Sequence, residues 1–190
     1  RILVEFEGFM ENGAVWVNGQ PVGSRPYGYT ASLYDITDKV NFGKENIIAV
    51  KADTSAQPAS RWYTGGGIYR HVNLIKTSPL HLDHWGVFIH TPEVSAEKAV
   101  VKIQARVVND GRSAAQAAVQ TTLTAPDGRR YVSQKKQVKV EAGADAECTL
   151  TVEVDKPMLW DTETPHLYSA RTEVSVSGKP TDDRIHNIGI

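Results

Sequence analysis

The chain has 190 residues, 41% of them hydrophobic and 23% charged, and 21 basic residues nearly balance 22 acidic ones to leave a formal net charge of -1. This length allows one large domain or two compact ones, and the composition is that of a globular protein. The near-neutral charge excludes the clustered basic surface of a nucleic-acid binder, and no apolar run reaches the roughly 20 residues of a membrane helix. We therefore expect neither nucleic acid nor a membrane as a partner.

Turn signals and long loops dominate the first 78 residues. Asn-Gly pairs at 12–13 and 18–19 predict tight turns, because Asn and Gly tolerate the positive φ of hairpin loops. We expect long loops over residues 20–29 and 54–67, the second leading into a strand over residues 68–75. A domain boundary is predicted near Thr77-Ser78-Pro79, after which the density of Gly and aromatic residues falls.

Apolar and polar residues alternate along three segments of the second half, residues 99–107, 147–154 and 168–176. Alternation with period two is typical of half-buried antiparallel strands, because successive side chains leave opposite faces of a strand. About seven such strands over residues 79–190 favour an immunoglobulin-like sandwich. No segment shows a helical repeat, so the sequence predicts an all-β protein. The side chains expected to point inward are Val101, Ile103, Ala105, Val107, Cys148, Leu150, Val152, Val154, Tyr168, Ala170, Thr172, Val174 and Val176.

Three motifs follow one another along the chain. A strand runs into the Asn-Gly turn at 18–19, and residues 61–70 read Arg-Trp-Tyr-Thr-Gly-Gly-Gly-Ile-Tyr-Arg. The third motif combines Leu-Trp at 159–160 and Pro-His-Leu-Tyr at 165–168 with Asp-Arg-Ile-His-Asn-Ile-Gly-Ile at 183–190. In this order the motifs resemble glycoside hydrolase family 2, the family of β-galactosidases, β-glucuronidases and β-mannosidases.

The resemblance implies a specific all-β architecture. Residues 1–78 would form the C-terminal part of a galactose-binding-like jelly roll, the sugar-binding domain of the family. Residues 79–190 would form its immunoglobulin-like β-sandwich and end at the strand that leads into the catalytic barrel. The chain begins in strand-like residues, so we expect a portion of a longer enzyme. An autonomous carbohydrate-binding module or a structural interaction module is the alternative.

The resemblance also implies that the chain carries no catalytic residue. Family members are retaining glycosidases whose acid/base and nucleophile are two glutamates on a (β/α)₈ barrel, the acid/base preceded by Asn. No Glu here follows an Asn, and a barrel of about 250 residues does not fit this length. We expect the longer enzyme to hydrolyse terminal β-glycosidic bonds, with β-galactosides as substrates, and the present chain to be inactive without that barrel.

Arg61, Trp62 and Tyr63 are the candidate substrate-binding residues. A guanidinium donates several hydrogen bonds to hydroxyls, and an indole face suits the apolar side of a pyranose. The resemblance implies that this loop borders the substrate pocket. The alternative is that Trp62 and Tyr63 pack against the barrel. Asp53, the nearest acidic residue upstream, is a further candidate for gripping the sugar, whereas Tyr27 and Tyr29 are expected to pack at the sandwich edge.

No metal site and no cofactor are expected. His81 and His84 have an H-x-x-H spacing, but positions three apart on a strand point to opposite faces and would not chelate one ion. Cys148, the single cysteine, falls on the apolar face of its predicted strand, where a buried and inert thiol is expected. A jelly roll that lacks strands would expose unpaired edges, so we expect self-association, or disorder in part of residues 1–78.

Overall fold

The structure is a computed structural model that describes residues 1–56 and 65–190. These residues are built from strands, with one short 3₁₀ turn at Thr37–Lys39, so the predicted all-β fold is confirmed. The chain divides into two compact units, Arg1–Lys76 and Thr77–Ile190. The division falls between residues 76 and 77, next to the predicted boundary in the sequence. Across the described ranges, no helix has the length and apolarity to cross a membrane. The jelly-roll and immunoglobulin-like identities of the two units stay predictions.

The first unit consists of short antiparallel strands. One sheet has the order β5-β1-β8, a second has the order β4-β3-β6, and β2 pairs with β7. Its strands are β1 (Ile2–Phe6), β2 (Phe9–Met10), β3 (Gly13–Val17), β4 (Gln20–Arg25), β5 (Ser32–Asp35), β6 (Ile48–Lys51), β7 (Gly67–Ile68) and β8 (Val72–Lys76).

A small aromatic and aliphatic core holds the first unit together. Val15 and Val17 of β3 are fully buried, whereas Trp16 between them is half-buried on the opposite face. The Phe6 and Phe9 rings meet edge to face, with centroids 5.3 Å apart. The buried cluster in the described part of this unit comprises Val4, Phe6, Phe9, Val15, Val17 and Ile36.

Asn18 does more than form the predicted turn. With φ of 51° at Asn18 and 78° at Gly19, the pair closes the β3–β4 hairpin as expected. The Asn18 side chain also donates to the Lys39 carbonyl at 2.8 Å and accepts from the Ile47 backbone N–H at 3.0 Å. The same residue thus fixes the hairpin and ties it to the chain that precedes β6.

Two predicted boundaries in this unit are wrong. Residues 20–29 were expected to be a loop, but residues 20–25 form β4, an edge strand with a register irregularity beside Pro21, and edge strands and bulges both tolerate Pro. The strand expected over residues 68–75 is interrupted: β7 ends at Ile68 and β8 begins at Val72. The interruption arises because β7 pairs with β2 whereas β8 pairs with β1.

The second unit is a two-sheet sandwich. One sheet has the order β14-β10-β9; the other has the order β12-β11-β15-β16, with β13 also paired to β11. Residues 77–190 hold eight strands, one more than predicted. They are β9 (Leu80–Val94), β10 (Lys98–Asn109), β11 (Ala115–Thr124), β12 (Arg130–Val132), β13 (Lys136–Val140), β14 (Asp145–Asp155), β15 (Tyr168–Val176) and β16 (Lys179–Ile188).

The predicted alternation matches burial along β14 and over residues 101–107 of β10, where the inward residues are buried and the residues between them exposed; Val100 departs from it, because it is buried as well. On β15 the alternation fails at its end, because a register shift after Val174 buries Ser175 and leaves Val176 half-buried.

The ring of Tyr168 is fully buried, and its hydroxyl accepts a hydrogen bond from the Met158 backbone N–H at 2.8 Å. A tyrosine at the start of a strand that bonds backbone upstream is also a feature of immunoglobulin sandwiches.

Candidate functional site

The predicted substrate-binding residues Arg61, Trp62 and Tyr63 lie outside the residues that the structure describes. Their proposed role therefore stays a prediction. The description resumes at Gly65, and both Gly65 and Gly67 have positive φ, 72° and 79°, which favours glycine at these positions. The short stretch between β7 and β8 comes directly after these glycines and carries Tyr69 and Arg70.

Three tyrosines form an exposed group in the first unit, which we call the tyrosine cluster: Tyr27, Tyr29 and Tyr69. The Tyr27 and Tyr29 rings have centroids 5.5 Å apart, and those of Tyr29 and Tyr69 lie 6.5 Å apart, both edge to face. Their side chains remain 57%, 43% and 44% exposed, respectively. The predicted edge packing of Tyr27 and Tyr29 therefore leaves much of both rings open to a ligand.

Gly8 makes room for the Tyr69 ring, and Gly28 makes room for Met10. A Cβ on Gly8 would lie 2.7 Å from the Tyr69 ring, and one on Gly28 would lie 2.6 Å from the Met10 sulfur. The Tyr69 hydroxyl donates to the Gly28 carbonyl at 2.8 Å. The absence of a side chain at Gly8 thus lets the backbone approach the ring, and the Gly28 carbonyl accepts the hydrogen bond from its hydroxyl.

Arg70 adds a cation to the tyrosine cluster. Its guanidinium lies 5.5 Å from the centroid of the Tyr69 ring, within the range of a cation–π contact. The residue is exposed. Aromatic faces bind the apolar side of a sugar ring, while guanidinium and phenol groups hydrogen-bond its hydroxyls. The sequence pointed to the loop that precedes these residues and did not single out Tyr69 and Arg70, because it predicted that both lie within one continuous strand, which the structure interrupts between β7 and β8.

A polar group beside the cluster links β1 to β8. The Asn73 amide donates to Glu5 at 3.1 Å and to Glu7 at 3.2 Å, and the His71 Nδ1 lies 3.1 Å from Glu7 Oε2. The hydrogen bond with His71, followed by that from Asn73, holds the pKa of the Glu7 carboxyl below its ordinary value. These carboxylates are engaged in holding two strands together.

Asp53 has a local structural role. One carboxylate oxygen accepts the Ser55 backbone N–H at 3.1 Å and the Ser55 hydroxyl at 2.6 Å, and the other lies 3.0 Å from the Lys51 ammonium. These contacts, the Ser55 hydroxyl first among them, lower the pKa of Asp53 to about 2. Both oxygens are thus occupied within a turn, which does not support the role of a sugar-gripping acid.

The histidines and the cysteine considered as ligands or nucleophiles lie in the second unit. The buried His81 ring has its Nδ1 3.8 Å from the Asp110 carboxylate, whereas the His84 ring lies against Trp85 with centroids 4.8 Å apart. Among the residues described, no three metal-ligating side chains come together. Cys148 is a buried free thiol as predicted, and burial raises its pKa, which disfavours the reactive thiolate.

Residues 81–190, more than half of the chain, match the family model of the glycosyl hydrolases family 2. The chain belongs to this family. Among curated relatives of this family 2 chain, the β-galactosidase BoGH2A of Bacteroides ovatus is 36% identical over 187 residues, 98% of this chain and 22% of its own length. A putative β-glucuronidase of Formosa agariphila is 32% identical and also matches 98% of this chain, but 17% of its own length.

Solved structures give the same family. A family 2 glycosyl hydrolase from Bacteroides cellulosilyticus superimposes with a TM-score of 0.95 at 36% identity, over 100% of this chain and 26% of that protein. A β-glucuronidase of Bacteroides uniformis has a TM-score of 0.89 at 29% identity, with 100% of this chain and 24% of that protein covered. The family 2 chain thus spans about a sixth to a quarter of the length of these four proteins.

Proposed function

We propose that this chain is the non-catalytic β portion of a retaining family 2 glycosidase. One observation carries the proposal. This all-β chain matches family 2, and it covers less than a third of the length of relatives that are named as glycosidases. A retaining mechanism needs two carboxyl groups about 5–5.5 Å apart on a rigid scaffold. We propose that a barrel elsewhere in the longer protein supplies them, and that this barrel is the natural partner of the chain.

We propose β-galactosides as the substrate class and the tyrosine cluster with Arg70 as the part of this chain that borders the sugar. The name of the relative BoGH2A supports the substrate class. Arg61, Trp62 and Tyr63 are proposed to belong to the same surface. Tyr63 precedes Tyr69 by six residues in the same sequence motif, which supports this proposal.

A β-glucuronide is the second candidate substrate class. Arg70 favours it, because an exposed guanidinium pairs with a carboxylate in a bidentate way, and the hexuronic acid carries one. Relatives and solved structures named as β-glucuronidases support the same alternative. The two classes differ in the charge of the sugar, so binding of neutral and anionic sugars separates them.

Hydrolysis assays test the non-catalytic role. The purified chain, incubated with 4-nitrophenyl β-D-galactopyranoside or β-D-glucuronide, is expected to release no 4-nitrophenol above the buffer control. Turnover that disappears when a single carboxylate of this chain is replaced would overturn the proposal.

Binding of single sugars tests the tyrosine cluster. Because the barrel would contribute most contacts, galactose titrated into the ¹⁵N-labelled chain is expected to bind no tighter than about 1 mM, roughly -4 kcal/mol. The amide signals that shift should be those around Tyr69 and Arg70, and glucuronate should shift them more than galactose if the second substrate class is correct. Saturable micromolar binding would instead support the autonomous carbohydrate-binding module.

We also propose that the isolated chain self-associates through the first unit. Val72 and Leu74 of β8 pair with the core residues Phe6 and Val4 of β1 and point to the same side, yet they remain 45% and 68% exposed. Leu74 and Ile48 of β6 line one apolar groove of about 310 Å³. In this sheet β8 is an edge strand that contains no Pro, and its one charged residue, Lys76, stands at its C-terminal end. A second copy offers the same edge, so two β8 strands can pair antiparallel.

A further inference from the structure

A second surface with exposed aromatic rings lies on the second unit, on the outer face of the sheet β14-β10-β9. The side chains of Trp85 and Phe88 on β9 are 67% and 60% exposed. With Arg106 and Gln104 of β10 and Glu147 of β14 they line a shallow depression of about 350 Å³. That volume falls at the lower end of the range of about 300–1,000 Å³ for small-molecule sites.

A bulge in β9 places Trp85 on this face. Leu82 pairs with Val107 and Val87 pairs with Ala105, so residues 83–86 stand opposite the single residue Arg106. A Cβ on Gly86 would lie 2.6 Å from the Asp83 Cβ, so glycine is what lets the bulge close on itself. Bulges redirect side chains and are common beside binding sites.

Each aromatic ring is braced by a histidine. The His84 and Trp85 ring centroids lie 4.8 Å apart, and the Phe88 and His90 rings are stacked at 5.3 Å with an interplanar angle of 24°. Rings held in this way lose little conformational freedom when a ligand binds, which favours affinity. The pair therefore forms a pre-organised platform rather than two freely rotating side chains.

The charges on this face favour a neutral polyhydroxyl ligand. The Arg106 guanidinium donates to Glu147 at 2.8 Å and lies 3.8 Å from both Asp83 and Asp145. Three carboxylates around one cation leave the centre of the face negative, which repels an anionic ligand. Asp and Glu are depleted from protein–protein interface cores, so the three carboxylates at this centre are not typical of one. Carboxylates, a guanidinium and the Gln104 amide are instead good partners for sugar hydroxyls.

We propose that this face, at Trp85, Phe88, Gln104 and Arg106, is a binding site for a neutral, extended oligosaccharide. The rings would stack on the apolar faces of the sugar units, and the polar row on β10 would hydrogen-bond their hydroxyls. The site extends carbohydrate recognition to a second unit and does not depend on the tyrosine cluster or on the proposed glycosidase activity.

Titration of the ¹⁵N-labelled chain with β-1,4-galactotetraose and with cellotetraose tests the site. Saturable shifts confined to β9, β10 and β14 are expected with at least one of them, and Trp85→Ala or Phe88→Ala should weaken that binding about tenfold. Trp85→Phe, which keeps a ring, should retain most of it. Phe42→Ala removes an equally exposed aromatic of the first unit, 71% exposed, and should change nothing.

Three outcomes would overturn the inference: no saturable shift with either tetrasaccharide, shifts that lie elsewhere, or unchanged binding by Trp85→Ala. Sedimentation of the same variants tests whether this face is instead a protein–protein interface. If wild type associates and Trp85→Ala abolishes that association, the face is a protein interface and the sugar proposal fails. The Tyr69 and Arg70 signals report separately on the proposed function, so failure of one site is distinguishable from failure of the other.

Discussion

Thr121 and Thr172 occupy directly opposed positions on β11 and β15, in the interior of the second unit. Both residues are fully buried, and their hydroxyl oxygens lie 2.8 Å apart. A buried hydroxyl that loses its partner keeps its full desolvation cost, whereas removal of both hydroxyls leaves nothing unpaired. The energy of this pair therefore depends on both members being present.

We predict that Thr121→Val destabilises the second unit by about 1–3 kcal/mol, because the Thr172 hydroxyl is left unpaired in a dry interior. Thr172→Val should cost a similar amount. The double variant should cost clearly less than the sum of the two, since Val has nearly the shape of Thr. Urea unfolding of all four proteins gives the coupling energy, and strictly additive losses would show that the hydroxyl pair contributes nothing.

Asp53 gives a pH prediction on the first unit. Its folded pKa of about 2 lies below the ordinary value of 3.8, because Ser55 and Lys51 stabilise the carboxylate. The contribution of Asp53 to stability is therefore fully present above pH 3.8 and is lost as the pH falls through about 2. NMR titration of the Asp53 carboxyl should give a midpoint near 2, and Ser55→Ala should raise it. A midpoint at the ordinary value in the wild-type chain would show that the turn is not formed.

Strands of the second unit were predictable where burial differs between their two faces. Along β14 and over residues 101–107 of β10 each inward residue is apolar and each outward one polar, so the alternation reveals the strand directly. The signal fails at β4, where an edge strand needs no apolar face. It also fails at the bulge of residues 83–86, because an insertion of unpaired residues is set by the partner strand, which local sequence does not reveal.

For the candidate site too, the sequence indicates local features and does not indicate those set by distant residues. The run that ends in Tyr69 and Arg70 identified the region, because its composition is unusual in any context. The assembly of Tyr69 with Tyr27 and Tyr29, about 40 residues earlier, depends on tertiary packing in which the Tyr69 ring lies against Gly8, and no local pattern reports it. The residue types of one segment can thus be read from the sequence, whereas a grouping that depends on tertiary contacts cannot.

At the level of elements, the edge of β8 predicts concentration-dependent association. Leu74→Lys places a charge on the exposed edge at a residue that is 68% exposed, so it should abolish pairing between copies without unfolding the unit. Sedimentation velocity over a concentration series is expected to show association of the wild-type chain and a monomer for Leu74→Lys. Val132→Lys, on an exposed apolar residue of β12, is the matched control and should associate like wild type. A wild-type chain that stays monomeric throughout would refute the pairing.

At the scale of the whole chain, the two units differ in how much core they possess. The buried cluster of the second unit has 21 residues drawn from both sheets of its sandwich. That of the first unit has six among its described residues, and exposed apolar side chains border it on β6 and β8. Because burial of apolar surface must offset the conformational entropy of every ordered residue, small cores give marginal stability. The second unit thus has the means to fold alone, and the first unit does not.

We therefore predict that Thr77–Ile190, expressed alone, folds and unfolds in urea in one cooperative transition, with an m-value of about 1–3 kcal/mol/M. Its transition should coincide with a transition of the full chain. Arg1–Lys76 alone should show no cooperative unfolding as a monomer, because its edges and apolar groove stay open to solvent. Circular dichroism and sedimentation of the two pieces provide the measurement. A cooperatively folded monomer of Arg1–Lys76 would mean that a core built on the six-residue cluster suffices, and the case for self-association through β8 would lose its physical basis.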